Sequence, residues 1–364
     1  APNYKLLLVD IDQKDPSAWI EIIPESTSLL EDVKMLPGKI LALYLKNAHS
    51  ELVEMSLNGT NRENLFLPGL GTVEINYSDA YDSEFLYSYT SFSQPTMSFS
   101  GNLISRDFKI LSELTVKFDA SLYDTEQVWY SSKDGTRIPM FIFKKKGLVL
   151  NGANPVYLYG YGGFSINMTP EFRASYIALL EQGVVIAIPN LRGGEEFGEN
   201  WHRAGMLMNK QNVFDDFIGA AEYLIKEKYT SSDKLAIAGG SNGGLLVGAC
   251  MMQRPDLFKV ALPAVGVMDM LKFQKFTVGW GWVPEYGSSD QSESMFKYLL
   301  GYSPYHNITK KVKYPATLIT TADHDDRVVP AHSYKFAARL QANANKSNPS
   351  LIQIFKDSGH GAGK

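Results

Sequence analysis

Cysteine is almost missing from this sequence: Cys250 is the single one in 364 residues. No disulfide can form within the chain, and a thiolate-rich metal site is excluded. An excess of positive charge is missing too, since 35 Lys and Arg against 39 Asp and Glu leave a net charge of −4. With no basic field to hold a phosphate backbone, nucleic acid is not an expected partner. Long apolar runs are also lacking. The stretch GVVIAI at 183–188 falls far short of the ~18 residues that a membrane-spanning helix needs, and no membrane partner is expected. No charged-then-apolar leader opens the chain. It starts at Ala1 with APNYKLLLVDI, which reads as a strand, and stops at Lys364 inside the Gly-rich stretch SGHGAGK. Those ends read as the ends of a piece of a longer protein.

Hydrophobic residues make up 45% of the sequence and charged residues 20%, which sets disordered and fibrous classes aside. At about 150 residues per domain the length predicts two domains. Up to about residue 130, apolar and polar positions alternate in short runs: KLLLVDI (5–11), AWIEII (18–23), KILALYLK (39–46), ELVEMSL (51–57), EFLYSYTSF (84–92) and FKILSEL (108–114). Period two with turn residues between runs predicts antiparallel strands. KILALYLK and EFLYSYTS lie 45 residues apart, the spacing of four-stranded β-propeller blades; a β-sandwich would show a similar pattern. After Lys144–Lys146 strands alternate with helices. The strands VYLYGYGG, VVIAIPN, KLAIAGG, VALPAVG and ATLITTAD are interleaved with helices such as PEFRASYIALLEQG, VFDDFIGAAEYLIKEK, GLLVGACMMQRP and AHSYKFAARLQANA. That alternation predicts a parallel sheet covered on both faces. We divide the chain into residues 1–130 and 131–364, with the change near residue 135.

Gly239-Gly240-Ser241-Asn242-Gly243-Gly244 follows an apolar strand directly and precedes an apolar helix. A Gly-x-Ser-x-Gly sequence at such a turn forces the serine into a strained backbone at the sheet top, with its hydroxyl exposed at a helix N-terminus. A phosphate-binding loop would use similar letters, but no lysine of the Walker type follows. A serine hydroxyl needs a base, and this arrangement calls for an acid and then a histidine further along the chain. Of six histidines, only His332 and His360 lie beyond a suitable acid. His332, at the start of a helix, reads as a capping or surface residue. His360, in the loop SGHGAG after LIQIF, is the candidate base, because flanking glycines permit close approach of another loop. Asp323, Asp325 and Asp326 all sit at the end of the strand YPATLITTA, at the sheet edge where such sites gather. Spacing alone does not choose among them.

Seven motifs in order carry a family resemblance: LYGYGGF (158–164), NLRGGEEFGENWH (190–202), NKQNVFDDF (209–217), GGSNGGLL (239–246), GVMDMLKF (266–273), TADHDDRVVP (321–330) and GHGAGK (359–364). They resemble the prolyl oligopeptidase family, post-proline serine peptidases of the α/β-hydrolase superfamily. The resemblance runs from about residue 115 to 364; before that only APNYK and the blade pattern match. It implies an α/β-hydrolase fold, a doubly wound, mostly parallel sheet, preceded by part of a β-propeller. It further implies Ser241 as nucleophile, Asp325 as acid and His360 as base, with the Asn242 backbone N–H and the Tyr161 phenol binding the oxyanion. Phe164, Trp282, Tyr286 and Val328 would form an aromatic and apolar slot for proline, and Arg327 would hold a substrate carbonyl. Cys250 would be a small core residue behind the nucleophile.

Two departures stand out. Glu195 replaces the third glycine of the family's Arg-Gly-Gly-Gly-Glu-Tyr and Phe197 its tyrosine. Trp280 and Gly281 stand before Trp282 where animal members have His-Ala, which places a further aromatic near the slot. A complete member has seven blades and further catalytic-domain segments at both ends. This chain would hold about three blades, with the remaining segments expected to associate with it in a monomeric full-length protein. The implied partners are proline-containing oligopeptides, and no metal or organic cofactor is called for. The implied compartment is the cytoplasm, with the periplasm as alternative. The alternative functions are a peptide macrocyclase, an esterase- or aminopeptidase-type relative, and a propeller-based binding protein with an inactive hydrolase domain.

Overall fold

The computed structural model describes residues 1–343 and 347–361. Two compact units emerge. One comprises Ala1–Thr125, Thr169–Ala178 and Glu195–Trp201; the other comprises Glu126–Met168, Leu179–Gly194 and His202–Lys364.

The first unit opens with a two-stranded antiparallel sheet, β1 (Leu6–Leu8) and β2 (Ile20–Ile23). Two four-stranded antiparallel meanders follow. The first joins β3 (Leu29–Leu36), β4 (Lys39–Lys46), β5 (His49–Ser56) and β6 (Glu63–Asn64); the second joins β7 (Thr72–Asp79), β8 (Asp82–Thr90), β9 (Met97–Asn102) and β10 (Asp107–Ser112). The meanders are the blades that the 45-residue spacing predicts, so two full blades and a hairpin stand where about three blades were expected. Six consecutive residues of β4 are buried, because its two faces serve two cores. Leu41 and Leu43 pack with Phe85, Tyr87 and Tyr89 of the second blade. Ile40, Ala42 and Tyr44 pack on the opposite side with Ile23. Strand β3 escaped the period-two reading because a bulge between Leu30 and Asp32 breaks its alternation.

The second unit is built on an eight-stranded sheet. Its strands in chain order are β11 (Tyr123–Ser131), β12 (Arg137–Lys145), β13 (Val156–Tyr159), β14 (Val185–Pro189), β15 (Leu235–Gly240), β16 (Val260–Ala264), β17 (Ala316–Ala322) and β18 (Ser350–Phe355). Across the sheet the order is β11-β12-β14-β13-β15-β16-β17-β18. Strand β12 pairs antiparallel with β14, and the pairings from β14 to β18 are all parallel. The sheet is therefore mostly parallel, as expected of an α/β-hydrolase, with an antiparallel hairpin at one edge. The helices along the chain are α1 (Ala174–Glu181) and α2 (Glu199–Arg203), each divided between the two units, then α3 (Gln211–Lys226), α4 (Asn242–Gln253), α5 (Val283–Tyr286), α6 (Glu293–Tyr302) and α7 (Ala331–Asn343) in the second unit. In α3 the buried residues Val213, Phe214, Phe217, Ala220, Ala221 and Leu224 recur at helical spacing, the pattern that made it legible. Cys250 is fully buried on α4, where burial pushes its thiol well above the usual range. Among the described residues no helix is long and apolar enough to cross a membrane.

Candidate active site

Strand β15 ends at Gly240 and α4 begins at Asn242, leaving Ser241 alone to make the turn. Its backbone sits at φ 59° and ψ −116°, a conformation that costs a non-glycine residue about 1–3 kcal/mol and survives only where its surroundings impose it. The Ser241 N–H donates to the Ala264 carbonyl at 2.9 Å, and its own carbonyl accepts from Gly244 and Leu245. The side chain does not cap the helix, which leaves the hydroxyl available for chemistry.

Glycines make this turn possible by contact rather than by flexibility. A Cβ on Gly239 would lie 2.4 Å from the Gly243 oxygen, one on Gly243 2.6 Å from the Gly160 oxygen, and one on Gly244 2.6 Å from the Ala264 oxygen. Gly240 is different: its nearest neighbour would be 4.0 Å away, so sterics do not require it.

Beyond β17, Asp325 is buried. Its Oδ1 accepts from the backbone N–H groups of Arg327 at 3.1 Å and Val328 at 2.9 Å. Its Oδ2 lies 2.8 Å from Nδ1 of His360, in the loop after β18. Of the three carboxylates that spacing left open, Asp325 is the one that meets His360. Asp323 is turned to its exposed neighbour His324 at 2.7 Å, and Asp326 is exposed. The motif around His360 runs on into residues 362–364, which lie outside the described residues. No hydrogen bond joins His360 to Ser241 among the described residues; such links often tighten only around bound substrate.

The capping or surface role expected of His332 does not hold. It is 1% exposed, and its Nδ1 accepts from the Asp269 N–H at 3.1 Å. The α7 periodicity that makes this end of the helix look like a surface start gives no view of the 266–273 loop packed over it.

Tyr161 lies two residues beyond the end of β13. Burial, the largest influence, pushes its phenol up to about 12, and the neighbouring Tyr159 adds to this; interaction with the Ser241 side chain pulls the other way. The phenol therefore keeps its proton at neutral pH and can donate beside the serine. Asn242 ties the two loops together, its Nδ2 donating to the Tyr161 carbonyl at 2.6 Å and its Oδ1 accepting from the Tyr286 hydroxyl at 2.8 Å.

A cavity of about 260 Å³ opens onto Ser241. Tyr161, Phe164, Trp282, Tyr286 and Arg327, all singled out from the sequence, line it. The Phe164 and Tyr286 rings meet edge-to-face at 5.4 Å, and Phe273 backs both Tyr286 at 5.4 Å and Trp282 at 6.3 Å. Two expectations need correction. Val328 is not among the lining residues: it is 1% exposed and serves Asp325 through its N–H. The apolar walls come instead from Ile166, Val267 and Val278; none was given a role from the letters, although Val267 falls within the motif GVMDMLKF. Trp280 is 71% exposed and does not line the cavity.

Sequence profiles decide the family. The profile described as "Prolyl oligopeptidase family" matches residues 170–364, and that of "Prolyl oligopeptidase, N-terminal beta-propeller domain" matches residues 1–113. The chain belongs to the prolyl oligopeptidase family. It is 45% identical to the prolyl endopeptidase of Elizabethkingia miricola over all of this chain and 52% of that protein. It is 39% identical to the dual function macrocyclase-peptidase of Amanita bisporigera over all of this chain and 51% of that one. A solved prolyl endopeptidase structure superposes with a TM-score of 0.95 at 42% identity, covering 99% of this chain and 53% of its own. Prolyl oligopeptidase B from Galerina marginata, bound to a 35mer hydrolysis and macrocyclization substrate, gives 0.93 at 38% identity, covering 97% and 50%. The chain spans about half the length of the curated relatives it matches.

Three further residues stand behind the site. Lys210 and Glu285 are 1% and 5% exposed, and His202 is 2.8 Å from Glu285. Lys210 and His202 belong to motifs that carry the family resemblance, but nothing in the letters gave them a role.

Proposed function

We propose that the protein carrying this chain is a serine endopeptidase that cleaves proline-containing oligopeptides on the carboxyl side of proline. Residues 1–130 would supply C-terminal propeller blades and residues 131–364 the catalytic part. The pyrrolidine ring enters the slot between Phe164, Trp282 and Tyr286, selected by shape and ring stacking without a hydrogen bond to the substrate side chain. Arg327 holds a substrate carbonyl and keeps the peptide in register.

Ser241 Oγ attacks the prolyl carbonyl carbon while His360 takes its proton, and Asp325 holds the imidazole with Nδ1–H turned toward the carboxylate. The carbonyl oxygen becomes an oxyanion, met by the Tyr161 O–H and by the N–H of Asn242, which as the first residue of α4 has no acceptor within the helix. Collapse breaks the C–N bond, His360 protonates the departing amine, and a prolyl ester of Ser241 remains. Water, deprotonated by His360, then releases the acid and regenerates the serine. No step draws on a metal or organic cofactor.

The observation that carries this reading is the pairing of buried Asp325 with partly exposed His360 at 2.8 Å, in the same unit as a strained serine that opens onto an aromatic cavity. Two measurements test it in the protein at its full natural length. A blocked Gly-Pro reporter should be hydrolysed at least about 100-fold faster than its Gly-Ala counterpart, given roughly 1–3 kcal/mol per missing methylene; equal rates would remove the prolyl assignment. A Ser241→Ala enzyme should no longer be labelled by a fluorophosphonate, and labelling that persists would overturn the nucleophile.

The macrocyclase-peptidase named among the relatives supports a second reading, in which a peptide's own amine replaces water at the acyl-enzyme. A product one water lighter than the hydrolytic one would identify it. Cytoplasmic placement and a monomeric state complete the proposal, testable by fractionation and light scattering.

A further inference from the structure

Three backbone groups of the loop after β13 are each held by a buried side chain from a different element. The Tyr161 carbonyl accepts from Asn242 Nδ2 at 2.6 Å, the Gly162 carbonyl from Lys210 Nζ at 2.7 Å, and the Phe164 N–H donates to Glu285 Oε1 at 3.0 Å. Between and beyond these anchors the backbone is strained. Gly162, Phe164 and Ser165 have φ of 65°, 58° and 55°, and two of them pay for a left-handed conformation with a side chain. A turn bond from the Ile166 N–H to the Gly163 carbonyl at 3.1 Å closes around this phenylalanine and serine, and the Ser165 N–H donates to the Gly193 carbonyl at 3.1 Å; the three side-chain anchors hold the backbone that leads into that turn.

We propose that Lys210 and Glu285 are positioning residues, holding this strained loop so that the Tyr161 hydroxyl meets the oxyanion and the Phe164 ring walls the slot. The proposal rests on the roles assigned to those two residues under the proposed function. Lys210 is fully enclosed, its Nζ donating to Gly162 and lying 5.4 Å over the Tyr286 ring. Burial pushes its ammonium down to about 8, against the pull of the Glu285 carboxylate. Methionine, of similar length and apolar, would fill the same sleeve without the cost of burying a charge. The lysine's specific contribution is therefore its hydrogen bond to Gly162. Packing at this point is tight: a Cβ on Gly163 would lie 2.7 Å from Asn242 Nδ2 and 3.0 Å from Lys210 Nζ. A shift of the Lys210 side chain is thus felt by the loop directly. Glu285 is held in turn by His202, whose Nε2 lies 2.8 Å from its second oxygen.

The roles separate kinetically. An interaction made only in the transition state appears in kcat, and one made equally with bound substrate appears in KM. Lys210 holds the residue next to Tyr161, and Glu285 binds Phe164 itself. Replacing Lys210 with Met should lower kcat by about 10- to 100-fold, at most the lower end of the roughly 10²–10³ that a whole oxyanion donor is worth, with KM little changed. Replacing Glu285 with Leu should raise KM for prolyl substrates by about tenfold or more, whereas Glu285→Gln, which keeps an acceptor for the Phe164 N–H, should restore most of it.

A double-mutant cycle at full natural length decides, with kcat counted per fluorophosphonate-titrated site. If Lys210 acts through Tyr161, Lys210→Met should cost less than about threefold in a Tyr161→Phe background, because the group it positions is gone. An undiminished loss in that background, or a kcat within threefold of wild type for Lys210→Met alone, overturns the positioning role while leaving the oxyanion reading intact. A Tyr161→Phe enzyme as fast as wild type overturns the oxyanion reading, and the positioning role with it. If Lys210→Met gives no folded protein, the Glu285→Leu and Glu285→Gln pair carries the decision through KM: equal values for the two overturn the proposal.

Discussion

Replacing Asp325 with Asn changes one atom's hydrogen bonding and nothing in size, and the surroundings dictate the outcome. Oδ1 of Asp325 faces two backbone N–H donors, from Arg327 and Val328, at 3.1 and 2.9 Å. An amide NH₂ placed there would set donors against donors, so the asparagine must keep its oxygen on that side and turn its NH₂ toward His360. The imidazole nitrogen 2.8 Å away must then accept. Its proton moves to Nε2, on the side where the base must be free to take the serine proton, and the histidine is held in the wrong tautomer. A loss of this kind is about 10³- to 10⁴-fold in kcat, or roughly 4–5.5 kcal/mol at 1.36 kcal/mol per tenfold. Folding should be little affected, since both backbone donors keep their acceptor. Steady-state hydrolysis of a prolyl reporter with Asp325→Asn, beside Asp323→Asn and Asp326→Asn, makes the test. The latter two should stay within a few-fold of wild type, because Asp323 serves the exposed His324 and Asp326 is itself exposed. If Asp325→Asn keeps a tenth or more of the wild-type kcat, or if one of its neighbours loses as much, the assignment of the acid is refuted.

Gly239→Ala should be destabilised by about 3 kcal/mol or fail to fold, since its new methyl group meets backbone at 2.4 Å; Gly240→Ala, with 4.0 Å of clearance, should keep its melting temperature, and equal behaviour of the two in thermal denaturation would contradict the steric account. His332 sits with its imidazole pushed down to about 4, chiefly by burial, from about 6.5 in an unfolded chain. The unfolded state therefore binds the extra proton first, and stability present above pH 6.5 is lost as the pH falls toward 4, by about 3 kcal/mol. A His332→Asn protein, which keeps an acceptor for the Asp269 N–H, should show a flatter acid limb in near-ultraviolet circular dichroism, and an unchanged slope would rule out the histidine as its source. Trp282→Ala removes one wall of the slot, and kcat/KM for the Gly-Pro reporter should fall by about 1–3 kcal/mol while that for Gly-Ala changes less; a uniform fall across both reporters would mean that Trp282 does not select proline.

Much of this protein is legible because its signals are local. The alternation in KILALYLK and the 3.6-residue spacing in α3 are imposed by which face each residue presents, and both elements appear where the letters place them. The turn at Ser241 is legible through its glycines, but only the contact of Gly239 with Gly243 is local; Gly243 and Gly244 must clear Gly160 and Ala264, which the fold brings in from elsewhere. The order serine, acid, histidine follows from the sequence of strands that end at one edge of the sheet. Pairing across the fold is not local. Asp323, Asp325 and Asp326 share one chemistry and lie within four residues of one another, and only the approach of the loop after β18 picks out Asp325. His332 looks like a helix-start surface residue until the 266–273 loop closes over it. Lys210, Glu285, Val267 and Val278 are given no role by the letters; they reach the site because α3, α5 and the loops after β16 converge on the residues that follow β13 and β15. Propensity and periodicity act over a few residues and so are written in the sequence. Burial, charge pairing and cavity shape depend on groups tens to hundreds of residues apart, and the folded chain alone decides which of them meet.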